Sequence, residues 1–343
     1  MSEERSITDL FLDQTFKLYK CNQSLVTISA STNVLAADQV AYLKENIAKY
    51  LYSVYRRRRD ESREGEIIPR YSRADDIEPE LKITFGSRNT SFENRIYNIQ
   101  YLIIRTSDRS LQLPRQIFIF INRDGVDSDG KSFNTIVLNR QFNSSSSSVQ
   151  VNNFIISLLE NMPDIETGLV MKEYRLNEKY IETAINELSN SIKDLKDTRV
   201  GEEVRLMDGL LGDLEITYSS ESKSSTFSNG PVINGNLRNI VINIPQKDIT
   251  EFINKFEKES EHGEKQTKLQ LISEINGFLY DNSSINFENL AIVKFVSSVV
   301  NISAEGKIKI SGAKIAVGDE SVKDRIVWFL LESLYNEKAL ARQ

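Results

Sequence analysis

Residues Glu80–Ser87, ELKITFGS, and residues Asp213–Ser220, DLEITYSS, are the two matching segments on which the fold reading turns. Each is a strand-like run leading into a turn rich in Ser and Asn, and the second lies 133 residues after the first. Around the first, runs rich in Ile, Phe, Tyr and Val follow at Tyr97–Arg105, Gln116–Asn122 and Phe133–Leu138, with Gly, Asp, Ser and Asn between them. A long helix over Ala36–Arg59 precedes them. Its apolar residues Ala36, Val40, Leu43, Ile47, Tyr50, Leu51 and Val54 recur at three- and four-residue steps. The run Arg56–Arg59 sits at its C-terminal end, where the helix dipole favours cations. A shorter helix, Val151–Met162, closes the set before Pro163.

Around the second segment the order returns. The helix Asn177–Leu195 precedes it, with Ile181, Ala184, Ile185, Leu188, Ile192 and Leu195 in one stripe and Glu, Lys and Asp opposite. Strands are expected at Asp213–Tyr218, Arg238–Ile244, Leu290–Ile302 and Lys307–Val317, then a helix at Ser321–Asn336. A pair of helices, Lys247–Glu259 and Lys268–Tyr280, interrupts the strands. Leu158–Asn161 (LLEN) also resembles Leu330–Ser333 (LLES), offset by 172 residues. The two offsets differ by 39, close to the length of the inserted helices.

The expected fold is therefore α+β, with two domains, each a mainly antiparallel four-stranded sheet with flanking helices, readable as a diverged duplication. The expected division is an Arg-rich domain over 1–148, a helical segment over 149–200 and an acidic domain over 201–343. The inserted helical pair occupies 247–282, and Asn143–Ser148 reads as a polar loop or linker.

Charge follows the same division. The 343 residues hold 43 Lys+Arg and 49 Asp+Glu, a net charge of −6. Residues 1–150 carry 21 basic against 19 acidic groups, leaving 22 against 30 for the remainder. Fifteen of those 21 are Arg. Arg56, Arg57, Arg58, Arg59, Arg88, Arg95 and Arg105 are the candidate site for an anion or an acidic partner, because the guanidinium fork pairs bidentately with phosphate and carboxylate. Acidic residues from Asp60 to Glu80 follow at once and can neutralise the run in place.

Catalytic chemistry has few residues to work with. One His and one Cys exclude Cys/His zinc sites and leave Ser or Cys nucleophiles almost without a base. His262 lies in a charged segment, and Cys21 reads as a small packing residue. No glycine-rich phosphate loop is present. Asp124–Gly130 has the look of a calcium loop, but the EF-hand register puts Gly125 and Ile136 where carboxylates are needed. Glu80-Leu81-Lys82, with Asp75 and Asp76 upstream, has the acid-x-Lys form of metal-dependent nucleases, but that spacing recurs four more times. Tyr50, Tyr52 and Tyr55 admit a base-stacking reading, though tyrosines at helical spacing more often edge a core.

No catalytic residue, cofactor or metal is assigned. The longest apolar stretches, Ile117–Ile121 and Ile326–Leu331, fall far short of the roughly 20 residues that span a bilayer, and residues 1–20 have no apolar leader segment. The expectation is a non-enzymatic structural or assembly protein, located in the cytoplasm or a virion and working through other protein subunits in a homo- or hetero-oligomer. The element order resembles small assembly domains of bacteriophage tails and necks, which implies a virion component. The alternative is a nucleic-acid-binding or processing accessory protein that uses the Arg-rich half.

Overall fold

The computed structural model describes residues 7–21, 38, 41–50, 81–92, 94–106, 116–125, 135–140, 146–161, 170–197, 211–219, 239–251, 270–312 and 320–335. Two compact units divide the chain: Phe16–Glu173, the N-terminal unit, and Tyr174–Gln343 joined by Met1–Thr15, the C-terminal unit.

In the N-terminal unit a strand that composition alone did not suggest comes first, β1 (Gln14–Cys21). Then β2 (Leu81–Phe92), β3 (Arg95–Thr106), β4 (Gln116–Arg123) and β5 (Ile136–Arg140) form an antiparallel meander. β1 pairs antiparallel with β5, Leu18 opposite Leu138, and the short β6 (Met171–Glu173) pairs with β1. Helix α1 (residues 41–50) and helix α2 (Ser146–Glu160) cover one face. Leu43, Ile47, Ile155, Leu158 and Leu159 meet Tyr19, Leu102, Phe118, Phe120 and Val137 there. Alternation sends Ile99, Ile117, Ile119, Ile121, Ile136 and Leu138 to the other face, where they are buried as well.

One row on the helix-covered face is polar. Asn89, Asn98 and Asn122 lie in register across three strands, and Thr135, just before β5, bonds to the last of them. Asn98 Nδ2 donates to Asn89 Oδ1 at 2.7 Å, and the Thr135 hydroxyl donates to Asn122 Oδ1. Apart from Asn89 these groups are buried, so the bonds between them offset part of their lost hydration.

In the C-terminal unit Asn177 caps α3 (Glu178–Asp197), its Oδ1 accepting from Tyr180 N–H at 2.7 Å. Of the stripe expected for this helix, Ile181, Ala184, Ile185 and Leu188 are buried, and Tyr180 is buried beside them. The strands are β7 (Leu214–Ser219), β8 (Asn239–Ile244), β9 (Ala291–Val296), β10 (Val300–Ser303) and β11 (Lys307–Ile310). Three more helices are α4 (246–251), α5 (Leu271–Ser283) and α6 (Glu320–Ser333). Helix α3 packs on β9, α5 and α6. Tyr180 Oη donates to Leu330 O at 3.3 Å, and Tyr218 Oη donates to Asn276 Oδ1 at 2.7 Å, both in the buried interior.

The class is α+β, with antiparallel sheets and six helices among the described residues. The finer expectation of two four-stranded sheets needs correction. In the N-terminal unit the described strands are hydrogen-bonded in the order β2-β3-β4-β5-β1, with β6 on β1, and in the C-terminal unit in the order β11-β10-β9-β7-β8, so neither set is four-stranded. The run Leu290–Ile302 is two strands, because Ser297 closes a tight turn. Its N–H donates to Val300 O at 2.8 Å and its Oγ accepts from Val299 and Val300 N–H. Ser146–Ser148, expected in a loop, open α2.

The pairing order also weakens the duplication. Among the described strands β2 lies at an end of the order beside β3 alone, whereas its sequence counterpart β7 lies between β8 and β9. The intervening α4 and α5 give the chain length to return to the far side of β7.

Candidate protein-interaction surface

The Arg residues singled out above do not gather into one patch among the described residues. Arg56–Arg59 lie outside them. Arg88 and Arg95 are exposed near the β2–β3 hairpin, on one face by the register Phe92 opposite Arg95 and Arg88 opposite Ile99. Arg105 falls on the same face of β3 but about 33 Å along the strand from Arg95, at about 3.3 Å per residue. Between them Tyr97 and Ile99 are fully buried, so that face is apolar in its middle. Arg88 instead adds a charge to a strand otherwise made of Ser, Asn and Thr at residues 87–91.

Other residues read from the sequence resolve into packing. Tyr50 stacks on Phe154 with ring centroids 3.8 Å apart and planes 11° apart, while Tyr52 and Tyr55 lie outside the described residues. Cys21 is buried, and its thiol is pushed up to about 12 by that burial, with the Glu160 charge as a second cause. His262, Glu80 and residues 126–134 also lie outside the described residues. No helix among the described residues is long and apolar enough to cross a membrane.

The C-terminal unit presents a different kind of surface. One face of its sheet carries the apolar row Ile216, Phe295, Ile302 and Ile308, in register and buried. The opposite face carries Glu215, Lys294, Asn301, Lys307 and Lys309. Lys294 Nζ lies 2.7 Å from Glu215 Oε1 and Lys307 Nζ 2.7 Å from Glu305 Oε2. Both pairs are solvated enough to contribute about 0–1 kcal/mol.

The strand order ends at β8, which pairs with β7 alone among the described strands. Its sequence, NIVINI, has no Lys, Arg or Pro until Pro245 follows it. Ile240 and Ile242 are half-buried toward the helix-covered face, and Val241 on the other face is 50% exposed. Gln246 N–H donates to Asp213 Oδ1 at 2.8 Å and fixes where the strand ends. An apolar strand edge that no described strand pairs is a template for another extended chain. The sequence located this strand correctly but not its edge position, which depends on the long-range pairing of β7 with β9. The signal within reach was the absence of any charge in six residues.

No curated protein matches the chain. Residues 149–339 match a family model described as CENP-L, centromere protein L. That match overturns the expectation of a bacteriophage virion component, because the family named is a centromere one, and with it the cytoplasmic or virion location. It gives no support to the nucleic-acid accessory alternative. The resemblance to phage assembly domains rested on element order, which unrelated proteins share. Since the matched region covers more than half of the 343 residues, the chain belongs to the centromere protein L family.

Proposed function

We propose that this chain is a non-enzymatic structural component of a centromere assembly, joined to other protein subunits by adding a partner's extended segment to the β8 edge. The observation that carries this reading is NIVINI, an uncharged apolar strand paired on one side only among the described strands. Main-chain bonds along such an edge supply affinity, and the alternating side chains Val241 and Ile242 supply register and selectivity. The scarcity of catalytic side chains, one His and one Cys in 343 residues, favours a structural role over an enzymatic one.

The test is co-purification with tagged full-length protein from its own cells, together with imaging of a fluorescent fusion. Val241→Lys should abolish recovery of associated centromere proteins and disperse the fusion from centromeres while leaving the melting temperature nearly unchanged. Full recovery with Val241→Lys would remove β8 as the docking edge. A fusion that never marks centromeres would remove the assembly reading itself.

A further inference from the structure

Helix α5 buries Leu271, Ile272, Ile275 and Asn276 and turns Glu274, Gly277, Phe278, Tyr280 and Asp281 to solvent. At 3.6 residues per turn Glu274, Gly277 and Asp281 fall within about 60° of one another, opposite the buried side. Phe278 lies on one flank of that stripe and Tyr280 on the other, 50% and 54% exposed. Between the two aromatics Gly277 has no side chain, and nothing lies within 4 Å of where its Cβ would be. This leaves a notch open to the helix backbone, with an aromatic residue on either side. One carboxylate residue, Glu274, stands about 4.5 Å along the axis in one direction, and another, Asp281, about 6 Å in the other.

The charge around the notch has one sign. No Lys, Arg or His occurs from Leu269 to Val293. Asp281 sits in the last turn of α5, which holds no basic residue and where the helix dipole already places negative charge. Among the described residues neither Glu274 nor Asp281 is in an ion pair. A glycine inside a helix is likewise costly compared with alanine, and no neighbouring atom requires it here. A cation that approaches the backbone closely accounts for both departures from good helix chemistry.

We propose that this notch receives an arginine side chain from an extended segment of another protein subunit, a contact separate from the β8 edge. Arginine suits it better than lysine, because the flat guanidinium stacks on aromatic rings and pairs with carboxylates through several N–H groups at once. Seated over Gly277, it lies beside both aromatics and within about one turn of both carboxylates.

The experiment follows the fluorescence anisotropy of a fluorescein-labelled peptide, arginines spaced by Gly and Ser, titrated with full-length protein at low salt. Wild type should bind it, and Phe278→Ala should weaken binding about fivefold, with the matching lysine peptide weaker as well. Glu274→Gln with Asp281→Asn should weaken it about tenfold, whereas Asp248→Asn with Glu251→Gln, the same loss of charge on α4, should change it by less than about twofold. Gly277→Ala separates docking from folding, since it should raise the melting temperature of the free protein and still weaken the peptide. Val241→Lys should leave peptide binding unchanged, so that failure at β8 and failure here are read apart. No binding at low salt, equal binding of the lysine peptide, equal losses from the α4 and α5 pairs, or undiminished binding by Gly277→Ala overturns the proposal. So does a dimer in light scattering that Phe278→Ala dissolves, which would make a second copy the occupant.

Discussion

The two sheets are built from similar strands and treated in opposite ways. In the N-terminal unit β3, β4 and β5 are buried on both faces, and their polar row is buried with two hydrogen bonds within it. In the C-terminal unit β7, β9, β10 and β11 bury one face under helices and turn Glu215, Lys294, Lys307 and Lys309 to the other. The edge strands differ too. β2 is polar near its hairpin and carries Arg88, whereas β8 is apolar and uncharged. A strand's composition therefore reports its number of covered faces better than its place in the chain. The unit holding most of the family match is also the one with a charged sheet face and an apolar end strand among the described residues.

The largest effect expected from this comparison is the response to one charge placed in each sheet. Ile119→Lys buries an ammonium in a site with 0% exposure and should cost several kcal/mol, enough to prevent cooperative folding. Val241→Lys should stay within about 0.5 kcal/mol of wild type by urea denaturation. Equal losses for the two would show that β8 is as enclosed as β4 and would break the contrast.

Next comes the interior of the C-terminal unit. Asn276→Ala removes the acceptor of the buried Tyr218 hydroxyl and should cost about 1–3 kcal/mol. The double variant with Tyr218→Phe should recover part of that loss, because no donor is then stranded. A double variant no better than Asn276→Ala would place the cost elsewhere.

A smaller effect, confined to alkaline solution, tests the N-terminal core. The Cys21 thiol is raised from 9.0 to about 12, and the Tyr19 hydroxyl from 10.0 to about 12, in each case first by burial. The folded state therefore holds protons that the unfolded chain releases above pH 9. The stability tied to Cys21 is complete below pH 9 and is lost as pH rises from there toward 12. Melting temperature should fall more steeply between pH 9 and 10 in wild type than in Cys21→Ala. Parallel curves would show that the thiol is solvated.

The smallest expected change is a gain. Gly277 sits in the interior of α5 with nothing within 4 Å of where a Cβ would be. Gly277→Ala should stabilise the C-terminal unit by about 0.5–1 kcal/mol. A destabilisation, read from the melting temperature, would mean that this face of α5 is covered.

Much of the secondary structure was legible because its signals are local. The stripe from Ile181 to Leu188 needs only a 3.6-residue period, and Gln116–Asn122 needs only a dense run of Ile and Phe. β1 was missed because QTFKLYKC mixes Lys with Phe, Leu and Tyr, while burial on both sides of the strand (Leu18 and Tyr19 alike) blurs its alternation. The break at Ser297 was hidden inside a continuous apolar run, since a serine hydroxyl bonded to two following N–H groups looks in sequence like any serine. Pairing order was not legible at all. Whether β9 joins β7 or β8 depends on contacts some 75 residues apart, and so does the edge on which the proposed docking rests. The Arg set illustrates the same limit, because shared composition does not bring Arg88 and Arg105 to one place.

The bond from Gly312 N–H to Asp13 Oδ1, 2.8 Å long, also has a meaning in time. Residues 11–13 leave the ribosome early, and the end of β11 to which they bond is made 299 residues later. At a synthesis rate of about 5–20 residues per second, this segment waits about 15–60 seconds before it can dock. Through that interval Phe11 and Leu12, buried in the folded unit, have none of their C-terminal packing partners to meet. The order of synthesis thus leaves this end of the unit open until its last strand has been made.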